Sequence, residues 1–140
     1  MDDDSTPPPG FTGLWRFRRS DVTYEEEYRA GVRHGLHRRI HSSGTVIWEG
    51  RLEVGLEHGT FTVRRVDGKV LDETEFVRGT GTFRIFTSAG ALAWEIPYVA
   101  GKPHGLKRHF RGGHVVSEQE FRDGVPTGPP QRRPNDRGSE

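Results

Sequence analysis

The sequence predicts an all-β protein: an elongated, single-layer antiparallel meander of β-hairpins, about ten strands in all. Three observations carry this. Fifteen of the nineteen glycines fall into three phase-locked slots, with intervals of 22 to 24 residues within each. A fixed period of that size marks a stack of like supersecondary units. The stretches between the glycines are short and rich in β-branched and aromatic residues, as strands are. Only 31% of the 140 residues are hydrophobic, too few for a thick core, so most of the chain must lie near a surface.

The elements follow in order. Residues 1–10, MDDDSTPPPG, read as a disordered acidic and proline-rich tail. The hairpin domain spans residues 11–124. Its first glycine slot holds Gly31, Gly55, Gly79, Gly101 and Gly124; its second Gly13, Gly35, Gly59, Gly81, Gly105 and Gly128; its third Gly44, Gly68, Gly90 and Gly113. Strand one of each unit follows a slot-two glycine and strand two a slot-three glycine. Ser43-Gly44, Asp67-Gly68 and Ala89-Gly90 lie between them and predict two-residue type I′ turns, which need positive φ at both central residues. Residues 125–140 read as a second disordered tail.

Further columns keep the same phase. A glutamate stands five residues after each slot-three glycine, at Glu49, Glu73, Glu95 and Glu118, and Glu25 follows Ser20 by the same count. A large apolar residue stands three further on, at Tyr28, Leu52, Phe76, Tyr98 and Phe121. Counting from two-residue turns sets Arg16 opposite Glu25, Arg38 opposite Glu49, Thr62 opposite Glu73, Arg84 opposite Glu95 and Lys107 opposite Glu118. Such cross-strand pairs contribute roughly 0.2–1 kcal/mol each, and their main effect is to specify register.

The other face collects rings. The same counting pairs Phe17 with Tyr24, Arg39 with Trp48, Val63 with Asp72 and Ile85 with Trp94, and places Trp15, Phe61 and Phe83 two residues before the strand-one members. A contiguous apolar stripe on a single-layer sheet must be covered by curvature, a second copy or a partner. The expected contact surface is therefore Phe17, Tyr24, Trp48, Phe61, Phe83, Ile85 and Trp94, with Trp48 and Trp94 as anchors because tryptophan is enriched among hot spots.

The pattern of an aromatic or leucine, two residues, glycine, three residues and glycine, as in Tyr28-Arg-Ala-Gly31-Val-Arg-His-Gly35 and Tyr98-Val-Ala-Gly101-Lys-Pro-His-Gly105, resembles the MORN repeat. More narrowly it is similar to the MORN variant common in bacterial proteins, including a group classed as toxin–antitoxin antitoxins. The resemblance covers about residues 10–128 and includes the His-Gly pairs at 34–35, 58–59 and 104–105; Gly79-Thr80-Gly81 departs from it by lacking two residues. It implies an extended hairpin meander that binds partners, and no catalytic residues.

Composition narrows the function classes. There are 21 basic against 20 acidic residues, a net charge of +1, so no global field steers the chain to nucleic acid or anionic lipid. Cysteine is absent, which removes disulfides, thiolate zinc sites and cysteine nucleophiles. Equivalent histidines in adjacent hairpins lie about 9.6 Å apart by strand spacing, too far to share a zinc ion whose ligand nitrogens sit at about 2.0–2.1 Å. The stacked glutamates have like environments and basic partners, so nothing divides them into acid and base. The expectation is a non-enzymatic protein-binding module with no cofactor or metal, its partner another protein, in the narrowest version a bacterial toxin. The alternatives are a self-associating scaffold or a binder of nucleic acid or an anionic lipid surface. No apolar run approaches the roughly 20 residues of a membrane span, and a cytoplasmic location is expected.

Overall fold

A computed structural model describes residues 5–133, all of their regular structure being strand. In chain order these are β1 Gly13–Arg19, β2 Val22–Arg29, β3 Val32–His41, β4 Val46–Glu53, β5 Leu56–Glu57, β6 Gly59–Arg64, β7 Val70–Phe76, β8 Gly81–Phe86, β9 Leu92–Val99, β10 Lys102–Pro103, β11 Gly105–Arg111, β12 His114–Arg122, β13 Val125–Pro126 and β14 Gln131–Arg132. Every pairing is antiparallel, and the long strands neighbour one another in chain order. Among the described residues no helix is long and apolar enough to cross a membrane.

The all-β expectation holds, and the finer architecture differs from it. There are two seven-stranded sheets instead of one meander, and fourteen strands instead of about ten. The count differs because β5, β10, β13 and β14 are two-residue pieces. Two sheets arise because the ladder breaks at Gly79-Thr80-Gly81, the connection two residues shorter than its counterparts. After Gly55, Gly101 and Gly124 those positions carry β5, β10 and β13, each pairing back onto the strand just left. The chain divides into two compact units at the same point, the first ending at Arg78 and the second beginning at Gly79.

The turns also differ from expectation. Both residues have positive φ at Ala30-Gly31, Val54-Gly55, Arg78-Gly79, Ala100-Gly101 and Asp123-Gly124, so the two-residue primed geometry sits at the slot-one glycines. At slot three the last hairpin has positive φ at both Gly112 and Gly113, while Gly44, Gly68 and Gly90 have it and the residue before each does not. There the Gly44 N–H donates to the His41 carbonyl at 2.8 Å and the His41 N–H to the Thr45 carbonyl at 2.9 Å, with the same pattern around Gly68 and Gly90. These are three-residue loops closed by a bulge. The bulge absorbs the extra residue, which is why Arg38 still lies opposite Glu49, Thr62 opposite Glu73 and Arg84 opposite Glu95. In the last hairpin a bulge shifts the register by one, setting Arg108 and not Lys107 opposite Glu118.

Each turn leans on a residue about twenty positions earlier. The Val54, Arg78 and Asp123 N–H groups donate to Nδ1 of His34, His58 and His104 at 3.1, 3.1 and 3.2 Å. Thr12 and Thr80 give the same service with Oγ1 to Ala30 and Ala100. The His-Gly pairs are thus turn braces, each satisfying a donor that a left-handed residue turns away from the ladder. Among the described residues no cluster of histidine, aspartate and glutamate has metal-binding geometry.

The tails are partly structured where they are described. Pro7 is buried and the Phe11 N–H donates to the Pro8 carbonyl. Val125–Pro126 and Gln131–Arg132, within the stretch expected as a disordered tail over residues 125–140, pair with β12. The remainder of both expected tails, residues 1–4 and 134–140, lies outside the described residues.

Candidate binding face

Alternation along the strands gives each unit one face of ion pairs and one of rings. On the first, Glu25 accepts from both Arg16 and Arg38 at 2.7 Å, and Glu49 from Arg64 at 2.8 Å. Arg38 thus lies opposite Glu49 but spends its guanidinium on Glu25. In the second unit the alternation is unbroken: Arg84 to Glu95, Arg108 to Glu118, Arg133 to Glu118. Burial pushes the Glu25 carboxyl up, but the hydrogen bonds and charges of Arg16 and Arg38 outweigh this and hold it below the ordinary value.

The ring-bearing face of the first unit is a continuous row, Phe17–Tyr24–Arg39–Trp48–Val63–Asp72, each residue opposite the next across six strands. Phe17 stacks on Tyr24 with ring centroids 4.8 Å apart, and the Arg39 guanidinium lies over Tyr24 and Trp48 at 5.3 and 4.4 Å. The Arg39–Trp48 contact expected from the register is present. A second row runs beside it: Trp15, Glu26, His37, Gly50, Phe61 and Thr74. A Cβ at Gly50 would collide with the Phe61 ring, so the glycine is what lets that ring lie flat on the sheet. Phe61 is 2% exposed and packs on Trp48 and Phe76, the latter 1% exposed.

Within this row sits a buried polar group that the sequence reading passed over. Glu26 and His37 are 4% and 7% exposed, with His37 Nε2 at 3.2 Å from Glu26 Oε2. Tyr28 donates to Glu26 Oε1 at 3.0 Å and Arg33 stands 3.6 Å away. Burial pushes Glu26 up, while the His37 hydrogen bond, the Arg33 charge and the Tyr28 hydroxyl more than offset it, leaving the carboxyl below its ordinary value. His37 Nδ1 has no hydrogen-bond partner among the described residues, so no hydroxyl nucleophile is bonded to this imidazole. His37 shares parity with Arg39 on one strand, and counting alone would have placed it on the ring face.

The second unit has a row of its own, Ile85–Trp94–His109–Ser117–Arg132. Trp94 stacks on His109 at 4.3 Å, and Lys107 Nζ lies 4.7 Å from the Trp94 ring. Phe83 meets Tyr98 edge-on at 4.9 Å. Among its described residues no side chain of this unit is buried, and Ile85 is 47% exposed.

The seven expected contact residues therefore separate. Phe17 and Phe61 are buried in the first unit, Phe61 against Gly50 and Phe17 in its stack on Tyr24. Tyr24, Trp48, Phe83 and Trp94 are half-buried, and Ile85 is exposed. The reading missed Leu52 and Phe76 as core. It also missed His109 and Lys107, whose places on the face depend on the bulge register. Comparison with protein families, curated proteins and solved structures finds no match.

Proposed function

We propose that the chain is a non-enzymatic, MORN-like repeat module that binds another protein, and that the partner seats on the ring-bearing face of the second unit. One observation carries the reading: the row Ile85, Trp94 and His109, backed by Phe83, holds no buried side chain and includes an exposed isoleucine, whereas the ring face of the first unit buries Phe17, Phe61, Phe76 and Leu52. A contiguous apolar stripe left incompletely covered within its own unit supports an interaction site. Trp94, stacked and oriented but not buried, is the anchor. A bacterial effector bound in the antitoxin or immunity manner is the narrower form of the same reading.

Affinity capture with the wild-type chain and with Trp94→Ala, read by mass spectrometry, tests it. A protein retained by the wild type and lost by the variant, with the variant's thermal unfolding unchanged, supports the reading. Identical captures by the two chains contradict it, and wild-type self-association abolished by the variant moves it to the scaffold alternative.

A further inference from the structure

The partner's chemistry is legible in how the second unit distributes its charge. Between residues 79 and 133 there are eight arginines and lysines but only four carboxylates, Glu95, Glu118, Glu120 and Asp123. Glu95 and Glu118 lie on the ion-pair face, matched to Arg84, Arg108 and Arg133. Glu120 shares their face, lying opposite Leu106 in the register that pairs Arg108 with Glu118, and Asp123 is in a turn. The ring-bearing face of the described second unit therefore carries no carboxylate at all. It does carry cations. Lys107 reaches over Trp94 and Phe121, and Arg132 stands opposite Ser117 at the end of the Ile85–Trp94–His109 row. The first unit differs, because there Glu26 and Asp72 sit on the ring face beside Arg39 and His37.

Resting on the protein-binding reading above, we infer that the second unit's ring-bearing face docks an acidic segment of its partner, one that mixes carboxylates with apolar side chains. The carboxylates meet Lys107 and Arg132, and the apolar residues cover Ile85 and Phe83. Fields of one sign on a low-dielectric, ring-lined face raise the association rate of an oppositely charged ligand. A single-stranded nucleic acid is the less suitable occupant: it needs open ring faces for base stacking, and Trp94 already has His109 stacked on it and Lys107 above it.

The test uses a fluorescent random glutamate–tyrosine copolymer as probe, with the full chain titrated by anisotropy at low and moderate salt. Expected are saturable binding, at least tenfold weaker at the higher salt because exposed charges are screened, and at least a tenfold loss with Lys107→Glu. Lys107→Arg should restore it. Arg122→Glu makes the same charge change on the opposite face and should leave binding within twofold. Equal losses for Lys107→Glu and Arg122→Glu would show that net charge alone acts, and the inference falls. Tighter binding of a thymidine 20-mer or of phosphatidylserine vesicles than of the copolymer also overturns it. If a protein is captured through Trp94 but neither salt nor Lys107→Glu affects its retention, the protein-binding reading stands and the acidic partner does not.

Discussion

In the first unit Phe61 packs against Gly50, two residues along from the Trp48–Val63 pair; in the second, the positions two residues along from the Trp94–His109 pair hold Lys107 and Ile96. That exchange decides what each face becomes. A glycine leaves a trough into which a phenyl ring can lie flat, and with Trp48, Phe76 and Leu52 around it the first unit closes a small core. The second unit has isoleucine instead of glycine there, and Lys107 Nζ lies over the Trp94 ring. One hairpin plan thus yields a packed face and an open one, and what separates them is the volume at two positions. The first unit holds the buried side chains, and the second, among its described residues, holds none.

Substitutions can break or sharpen this contrast. The largest effect is expected for Phe61→Ala, which should cost about 3–5 kcal/mol as a buried aromatic truncation, measured by denaturant unfolding. Next comes the buried pair. Glu26→Gln keeps the shape but weakens the bond to His37, at about 1–3 kcal/mol near neutral pH. Its pH signature is specific. Because the folded Glu26 and Glu25 carboxyls are held below their ordinary value of 4.5, the stability they contribute is fully present above that pH and is lost as pH falls through their lowered folded values. Acid titration of stability should therefore be shallower in Glu26→Gln than in wild type.

A smaller effect is expected at the turn braces. His58→Ala leaves the Arg78 N–H without its acceptor and should cost about 1 kcal/mol, as loss of a cap does. His58→Thr should recover most of it, since Thr12 and Thr80 brace Ala30 and Ala100 through Oγ1. The ion-pair face should matter least. Glu49→Gln and Glu95→Gln each should cost at most about 1 kcal/mol, because both glutamates are partly solvated. A much larger loss at Glu95 would mean that the second unit holds itself together by charge and that its ring face is not spare surface.

Much of this was readable from residue spacing. The glycine slots located the turns, and alternation from those turns placed Arg16 opposite Glu25 and Ile85 opposite Trp94. Turn type was not readable, because a two-residue turn and a three-residue loop with a bulge give the same register further along the strand. Only the positive φ of Ala30, Val54 and Ala100, residues with no intrinsic preference for it, reveals where the primed turns lie. Parity could show that Phe61 and Trp94 each stand on the ring-bearing face of their own unit. It could not show which was buried, since that depends on Gly50 across the ladder. The last hairpin misled for a similar reason: the bulge after Val115 is invisible to counting, and it delivers Arg108 to Glu118 and frees Lys107 for the ring face.

Thermal unfolding of the full chain with Trp94→Ala beside Phe61→Ala tests the central claim most directly, that Trp94 of the second unit is surface and Phe61 of the first unit is core. Trp94 gives up a partly buried stack, with ring contacts contributing about 0.5–1.5 kcal/mol, so its variant should lose less than half the stability that Phe61→Ala loses, with the unfolding transition still single and steep. Equal losses, or an unfolded Trp94→Ala chain, would make the open face a second core and contradict the account.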